Sequence, residues 1–292
     1  GLLPLNGDLF VTGQGPDGVG LYRLSDVDRD GELEKAERLI AFTGGLGEHG
    51  PHGLTLGPDG MIYCIIGNFS KPQVPFAPTS PVVVTYEGDL LEPKMEDPGG
   101  HAVGVKAPGG TVVRCALDGT GLELVAAGLR NCYDLAFNAD GELFTYDSDM
   151  ESDIGMTWYR PTRVLHVVSG AEFGWRSGWS KWPDYYVDSL PPLAETGRGS
   201  PTGMVSYDHF MFPAKYQGAL FVGDWSEGRI LAVTMRRSGA GYIANTEDFI
   251  RGEPLNVTDL DVGPDGSLYF ATGGRATSGG IYRITWTGNV PD

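Results

Sequence analysis

The chain has 292 residues, 41% of them hydrophobic and 11% aromatic, enough to bury a sizeable core and too apolar for disorder. Its 21 Lys and Arg against 38 Asp and Glu leave a net charge of −17, which argues against nucleic-acid binding and suits divalent cations and neutral substrates. No apolar run approaches the ~18 residues of a membrane-spanning helix, and Cys64, Cys115 and Cys132, without a CxxC or CxxCH motif, encode neither a disulfide scaffold, a zinc ribbon nor covalent haem attachment.

In chain order, the first strand candidate is DLFVTG at 8–13, followed by another at 21–24. The chain enters this run directly from Gly1, which reads as a mature, trimmed or excised polypeptide. Residues 26–37 then read DVDRDGELEKAE. This matches an EF-hand loop: acids at the first, third and fifth places, Gly at the sixth, an apolar residue at the eighth and Glu at the twelfth. Calcium wants six to eight oxygens, and alternating carboxylates from Asp26, Asp28 and Asp30 turn inward together while Gly31 allows the reversal. The spacing predicts the Glu32 carbonyl as the next ligand, Glu34 as a direct or water-bridged one, and Glu37 as bidentate. Strand-like flanks make it a lone clip in a β-hairpin, with an acidic turn that holds no metal as the competing reading.

The next stretch, EHGPHGL at 48–54, carries His49 and His52 in a Gly/Pro turn just before the strand MIYCIIG at 61–67. Residues 69–110 form a proline-rich insert, expected to lie as a loop over one face, and lead to a strand candidate at 111–116. Cys64 and Cys115 lie in these apolar runs and read as buried thiols. GLRN at 128–131 places Arg130 and Asn131 just before ELFTYD at 142–147. A neutral imidazole takes a proton and a guanidinium holds an oxyanion or carboxylate. His49 or His52 facing Arg130 and Asn131 is therefore a candidate chemical site, unless these residues only brace their turns.

Asp147, Asp149, Glu151 and Asp153 follow as a second possible cation cluster, lacking the glycine of the EF-hand template. The insert at 148–202 carries Trp158, Trp175, Trp179 and Trp182. ALFVGD at 219–224 and SLYFATG at 267–273 complete the series, with strand candidates at 163–168, 229–234 and 280–284 after the third, fourth and fifth runs. Taking Leu9, Ile62, Leu143, Leu220 and Leu268 as equivalent gives spacings of 53, 81, 77 and 48 residues. Blades of ~40–50 residues with two insertions account for these intervals. The pattern predicts an all-β fold, one β-propeller domain over 1–292 with five recognisable blades and long loop inserts on one face.

Four stretches together carry a family resemblance: HGPHGLTLGPDGMIYCIIGN (49–68), GLRNCYDLAFNADGELF (128–144), SPTGMVSYDHFMFPAKYQGALFVGDW (200–225) and VTDLDVGPDGSLYF (257–270). They resemble the soluble glucose/sorbosone dehydrogenase-like propellers, most nearly the branch of membrane-bound dehydrogenase domains in planctomycete-type bacteria. There, such propellers often precede helical repeats and a cytochrome c domain. The resemblance implies a six-bladed propeller that oxidises aldoses with pyrroloquinoline quinone and calcium, in a periplasmic or secreted setting. It puts the catalytic base on His49, the quinone- and substrate-contacting pair on Arg130 and Asn131, and the loop holding the cofactor calcium on Asp149-Met150. Against six blades, the five units here leave one upstream of Gly1 or absent.

Three cofactor-binding cations of the family fall on Ser226, Asn256 and Thr258. The quinone carries three carboxylates, so their replacement weakens the case for it. Two other functions compete with a sugar oxidoreductase: a carbohydrate- or protein-binding propeller using the aromatic insert, and a metal-assisted non-redox carbohydrate enzyme using His49 or His52.

Overall fold

The computed structural model describes residues 1–290 apart from 46, 83–101, 103, 104, 149–159, 177–181 and 183–185. Among the described residues the elements are twenty strands and one 3₁₀ turn at Ala214–Tyr216. The strands form five sheets, the blades of a β-propeller. The first contains β1 (Leu2–Leu5), β2 (Asp8–Gly15), β3 (Gly18–Ser25) and β4 (Lys35–Ala41). The second contains β5 (Pro51–Leu56), β6 (Ile62–Ile66), β7 (Gly110–Cys115) and β8 (Glu123–Leu129), with β12 (Ala171–Glu172) added parallel to β8. The third is β9 (Leu135–Phe137), β10 (Leu143–Asp147), β11 (Thr162–His166) and β13 (Ala194–Gly197). The fourth is β14 (Pro201–Tyr207), β15 (Ala219–Asp224), β16 (Arg229–Ser238) and β17 (Gly241–Arg251), and the fifth is β18 (Val257–Val262), β19 (Leu268–Thr272) and β20 (Gly280–Ile284).

The five runs picked out in the sequence are the second strand of each sheet, and the strand candidates that follow them are the third. Their composition explains why. β6 is buried at every position, so both of its faces meet protein and it reads as an unbroken apolar run. The turns entering these strands share one construction. Gly60 and Gly266 take φ of +77° and +75°, open to glycine without strain. Gly57 and Gly263 lie against the rings of Tyr63 and Tyr269, where an added Cβ would approach to 2.4 and 2.5 Å.

The chain divides into two compact units. One comprises Gly1–Tyr133 with Val168–Pro191 and holds the first two sheets. Its core joins Leu21, Ile40, Ile62, Cys64, Val113 and Leu124. The start of the 69–110 insert lines this core: Ala77 and Val82 donate backbone hydrogen bonds to Leu122 and Leu124, while Phe76 and Val82 pack against the apolar cluster. The three cysteines are buried and form no disulfide, and burial pushes the Cys64 and Cys115 thiols up to about 12, so those two are inert packing groups.

The other unit comprises Asp134–Asp149, Pro161–Val167 and Pro192–Asp292 and holds the remaining three sheets. Phe144, Val164, Leu220 and Val233 fill one core, and Tyr207, Phe221, Ile230 and Leu268 fill another. Two strand junctions in this unit close with buried ion pairs across the ladder, Asp147 with Arg163 and Asp224 with Arg229.

The first strands of three sheets begin irregularly, with register shifts between Pro51 and Leu54, Pro201 and Met204, and Val257 and Asp259. A bulge bends a strand and re-aims its side chains. His52 sits inside the first of these.

Candidate functional site

His49 lies in a turn closed by the Gly50 amide on the Gly47 carbonyl, and its side chain is buried at 1% exposure. The turn is clamped to the end of β6. Gly67 donates to the Gly50 carbonyl at 2.8 Å, and Phe69 donates to the His49 carbonyl at 3.2 Å. Only glycine fits at position 67, because a Cβ there would stand 2.6 Å from the His49 carbonyl. The imidazole Nδ1–H donates to Oδ1 of Asn68, and the ring stacks on Phe69 at 4.3 Å between centroids. A neutral imidazole that donates from Nδ1 has its lone pair on Nε2.

His52 repeats the arrangement with different partners. Its Nε2–H donates to Oδ1 of Asn131 at 3.0 Å, and its ring stacks on Tyr133 at 4.2 Å. Burial pushes its pKa down to about 4, against the opposing effect of the Asn131 hydrogen bond, so the ring is neutral at physiological pH. The backbone follows suit: Gly53 donates to the Tyr133 carbonyl at 3.0 Å.

The two histidine groups are joined. Asn68, which holds His49, also donates its backbone N–H to the Arg130 carbonyl at 2.9 Å. The structure therefore brings His49, His52, Arg130 and Asn131 together within one compact unit. Each imidazole is backed by a neutral carboxamide and covered by an aromatic ring. Sequence reading missed Asn68, Phe69 and Tyr133 as members. The signal was the Asn-Phe pair directly after β6, at the mouth of the histidine turn.

The acidic loop occupies 26–34 between β3 and β4. One carboxylate oxygen each from Asp26, Asp28, Asp30 and Glu34 lies within 4.8 Å of the others. Arg29 and Gly31 adopt φ of 64° and 98°, which turns the chain back on itself. Backbone amides of Gly31 and Glu32 donate to Asp26 and Asp30 at 2.9 and 2.8 Å, orienting those carboxylates. Glu37 is not among them. β4 already begins at Lys35, so Glu37 stands opposite Arg23 in the ladder. Its carboxylate bonds Arg23 at 2.8 Å and Lys35 at 3.3 Å, and these partners hold its pKa below the usual range. Glu32 contributes an amide to Asp30. The all-oxygen donor set suits a hard cation such as calcium.

Of the second acidic cluster, Asp147 is fully buried and bonded to Arg163 at 3.1 Å and to the Ser148 amide at 3.0 Å. Asp149, Glu151 and Asp153 lie outside the described residues, as do Trp158 and Trp179. Ser226, Asn256 and Thr258 bond locally: Asn256 Nδ2 donates to the Trp225 carbonyl at 3.0 Å and Thr258 Oγ1 to the Ala271 carbonyl at 3.3 Å, while Ser226 Oγ lies 3.5 Å from Asp224. These neutral side chains do not fit the three carboxylates of a pyrroloquinoline quinone.

A further pair of acids, unsuspected from sequence, occurs in the second unit. Asp134 accepts the amides of Leu135 and Met204 at 2.8 and 2.9 Å. Burial, reinforced by the nearby Asp259, pushes Asp134 up to about 7. Asp259 is itself raised by burial.

No family model and no curated protein matches the chain. Solved structures do. A glucose dehydrogenase aligns with a TM-score of 0.69 at 17% identity, covering 98% of this chain and 81% of its own. The soluble aldose sugar dehydrogenase of Escherichia coli, in its apo form, aligns with a TM-score of 0.62 at 16% identity, covering 94% and 77%. The pyrroloquinoline quinone-bound aldose sugar dehydrogenase of Streptomyces coelicolor aligns with a TM-score of 0.57 at 15% identity, covering 98% and 93%. At these identities the shared property is the fold, a β-propeller of the sugar dehydrogenase type.

Proposed function

We propose that this chain is a calcium-binding propeller that handles sugars in the manner of aldose dehydrogenases. His49 is the base, and Arg130 and Asn131 bind substrate. The observation that supports it is the Asn68 bridge, which joins the His49 turn to the Arg130 loop in one unit. Nε2 of His49 takes the proton of a sugar hydroxyl, the Arg130 guanidinium steadies the negative charge that develops on the oxygen, and the hydride on the same carbon leaves to an external two-electron acceptor, the role the assay dye plays. His52, neutral and stacked on Tyr133, positions Asn131.

Asp26, Asp28, Asp30 and Glu34 hold calcium, which neutralises carboxylates that otherwise repel one another. The role is structural, stapling β3 to β4. The resemblance to dehydrogenase domains of planctomycete-type bacteria supports a periplasmic or secreted location, with a cytochrome c domain or protein receiving electrons.

The test is dye-linked oxidation of an aldose panel with calcium, with and without added pyrroloquinoline quinone. Turnover that disappears in His49→Ala supports the reading. A second reading, sugar binding without turnover, is favoured by the neutral trio Ser226, Asn256 and Thr258. It predicts glycan binding that His49→Ala leaves intact. Product release from a glycan without any electron acceptor instead points to a non-redox enzyme.

A further inference from the structure

The carboxamide of Asn68 is used unequally at its two ends. Its residue is 2% exposed, and Oδ1 takes the Nδ1–H of His49. Its Nδ2 is shut off from solvent and has no hydrogen-bond partner. Buried amide donors are almost always satisfied, because leaving one unpaired forfeits its hydration without replacement. An orphan donor on the residue that holds the candidate base marks a place kept for something else.

An amide N–H asks for an oxygen acceptor. A chain of net charge −17 disfavours an anionic one, which leaves a hydroxyl or carbonyl oxygen of a neutral ligand. Phe69, the next residue, lays its ring on His49 and is 37% exposed. A half-exposed ring can turn outward on a rotamer change, whereas the backbone behind His49 is fixed by the hydrogen bonds of Gly67 and Phe69.

We propose that Asn68 is a ligand-binding residue: its Nδ2–H holds an oxygen of a neutral polyhydroxylated ligand beside His49, and Phe69 turns out to admit it. This rests on the sugar-handling reading above and adds to it a donor that this chain supplies from Asn68. One carboxamide thereby sets the tautomer of the base with its oxygen and registers the ligand with its nitrogen.

The experiment is an NMR titration of the full chain with D-glucose, following the Asn68 side-chain NH₂ and the His49 ring nitrogens. It is paired with calorimetry on Asn68→Asp, which keeps an oxygen for His49 Nδ1–H and removes the donor. The expected result is a glucose-dependent shift of the Asn68 NH₂ signals, an unchanged His49 tautomer, and a tenfold or greater loss of affinity in Asn68→Asp. Glucose that moves the His49 signals, leaves the Asn68 NH₂ unmoved and binds Asn68→Asp equally well overturns this assignment alone. If glucose moves neither residue, the sugar reading and the assignment fall together. The wild-type titration decides the matter even where the variant does not fold.

Discussion

The backbone N–H of Asn68 donates to the carbonyl of Arg130 at 2.9 Å, so the residue that fixes His49 is pinned to the loop that presents Arg130 and Asn131. Two segments far apart in the chain are held in register by one peptide. The His49 turn and the backbone that carries Arg130 and Asn131 are thereby neighbours.

Truncating Asn68 removes the acceptor for a buried imidazole. Asn68→Ala should destabilise the protein by about 1–3 kcal/mol, the cost of leaving a buried polar group unpaired. Urea unfolding at neutral pH measures it. A change under about 0.5 kcal/mol, the level of a surface substitution, would show that the His49–Asn68 bond does not persist in solution.

His52 has a definite pH signature. Its folded pKa, about 4, lies below the ordinary histidine value, so the unfolded chain binds the extra proton between the two. Stability from this group is complete above ~6.5 and drains away as pH falls toward 4. NMR of the His52 ring should show no titration above pH 5, and His52→Gln should flatten the stability slope in that window. A ring that titrates near 6.5 contradicts the buried placement.

Asp134 acts in the opposite direction. Its carboxyl is pushed up to about 7, so the folded chain keeps a proton that the unfolded chain releases near ~3.9. Its stabilising contribution is present below that value and is lost as pH rises through 7. This group's stabilising contribution should therefore fall between about pH 4 and 7, and Asp134→Asn should flatten the stability slope in that window. Equal slopes in the two proteins would show that Asp134 ionises normally.

How much of this was legible in sequence depends on what each residue contacts. The second strands of the middle three sheets announce themselves because they are buried on both faces; β6, β10 and β15 have no exposed position. The first strands do not. Their openings, PHGL, PTGM and VTDL, carry the bulges and mix glycine with polar side chains, so no alternation marks them. β17 reads GYIANTEDFIR and is half-exposed throughout, which hides it likewise.

Candidate site residues behaved the same way. His49, His52, Arg130 and Asn131 stand out by type, whereas Asn68 is defined by a partner 19 residues away and Asn131 finds its histidine 79 residues away. Spacing along the chain carries no trace of either contact. In the acidic loop the EF-hand template assumes a helix after the ninth position. Here a strand starts at Lys35, and its pleat hands Glu37 to Arg23.

Glu34 and Glu37 therefore differ in what they can offer a cation. Glu34→Gln should weaken calcium binding tenfold or more, while Glu37→Gln should leave it within about twofold, since its carboxylate serves Arg23. Calorimetric titration with calcium chloride reads both. Equal losses in the two variants would restore Glu37 as a ligand, and no calcium binding by the wild type would reduce the loop to an acidic turn.

On the proposal made here, the His49 turn and the Arg130 loop form one ligand site. A crystal structure of the full chain grown with calcium and D-glucose tests it most directly. The claim predicts sugar density touching the His49 imidazole and the Arg130 or Asn131 side chain at once. Sugar bound elsewhere, with the side chains of His49 and Arg130 directed to separate surfaces, would contradict it.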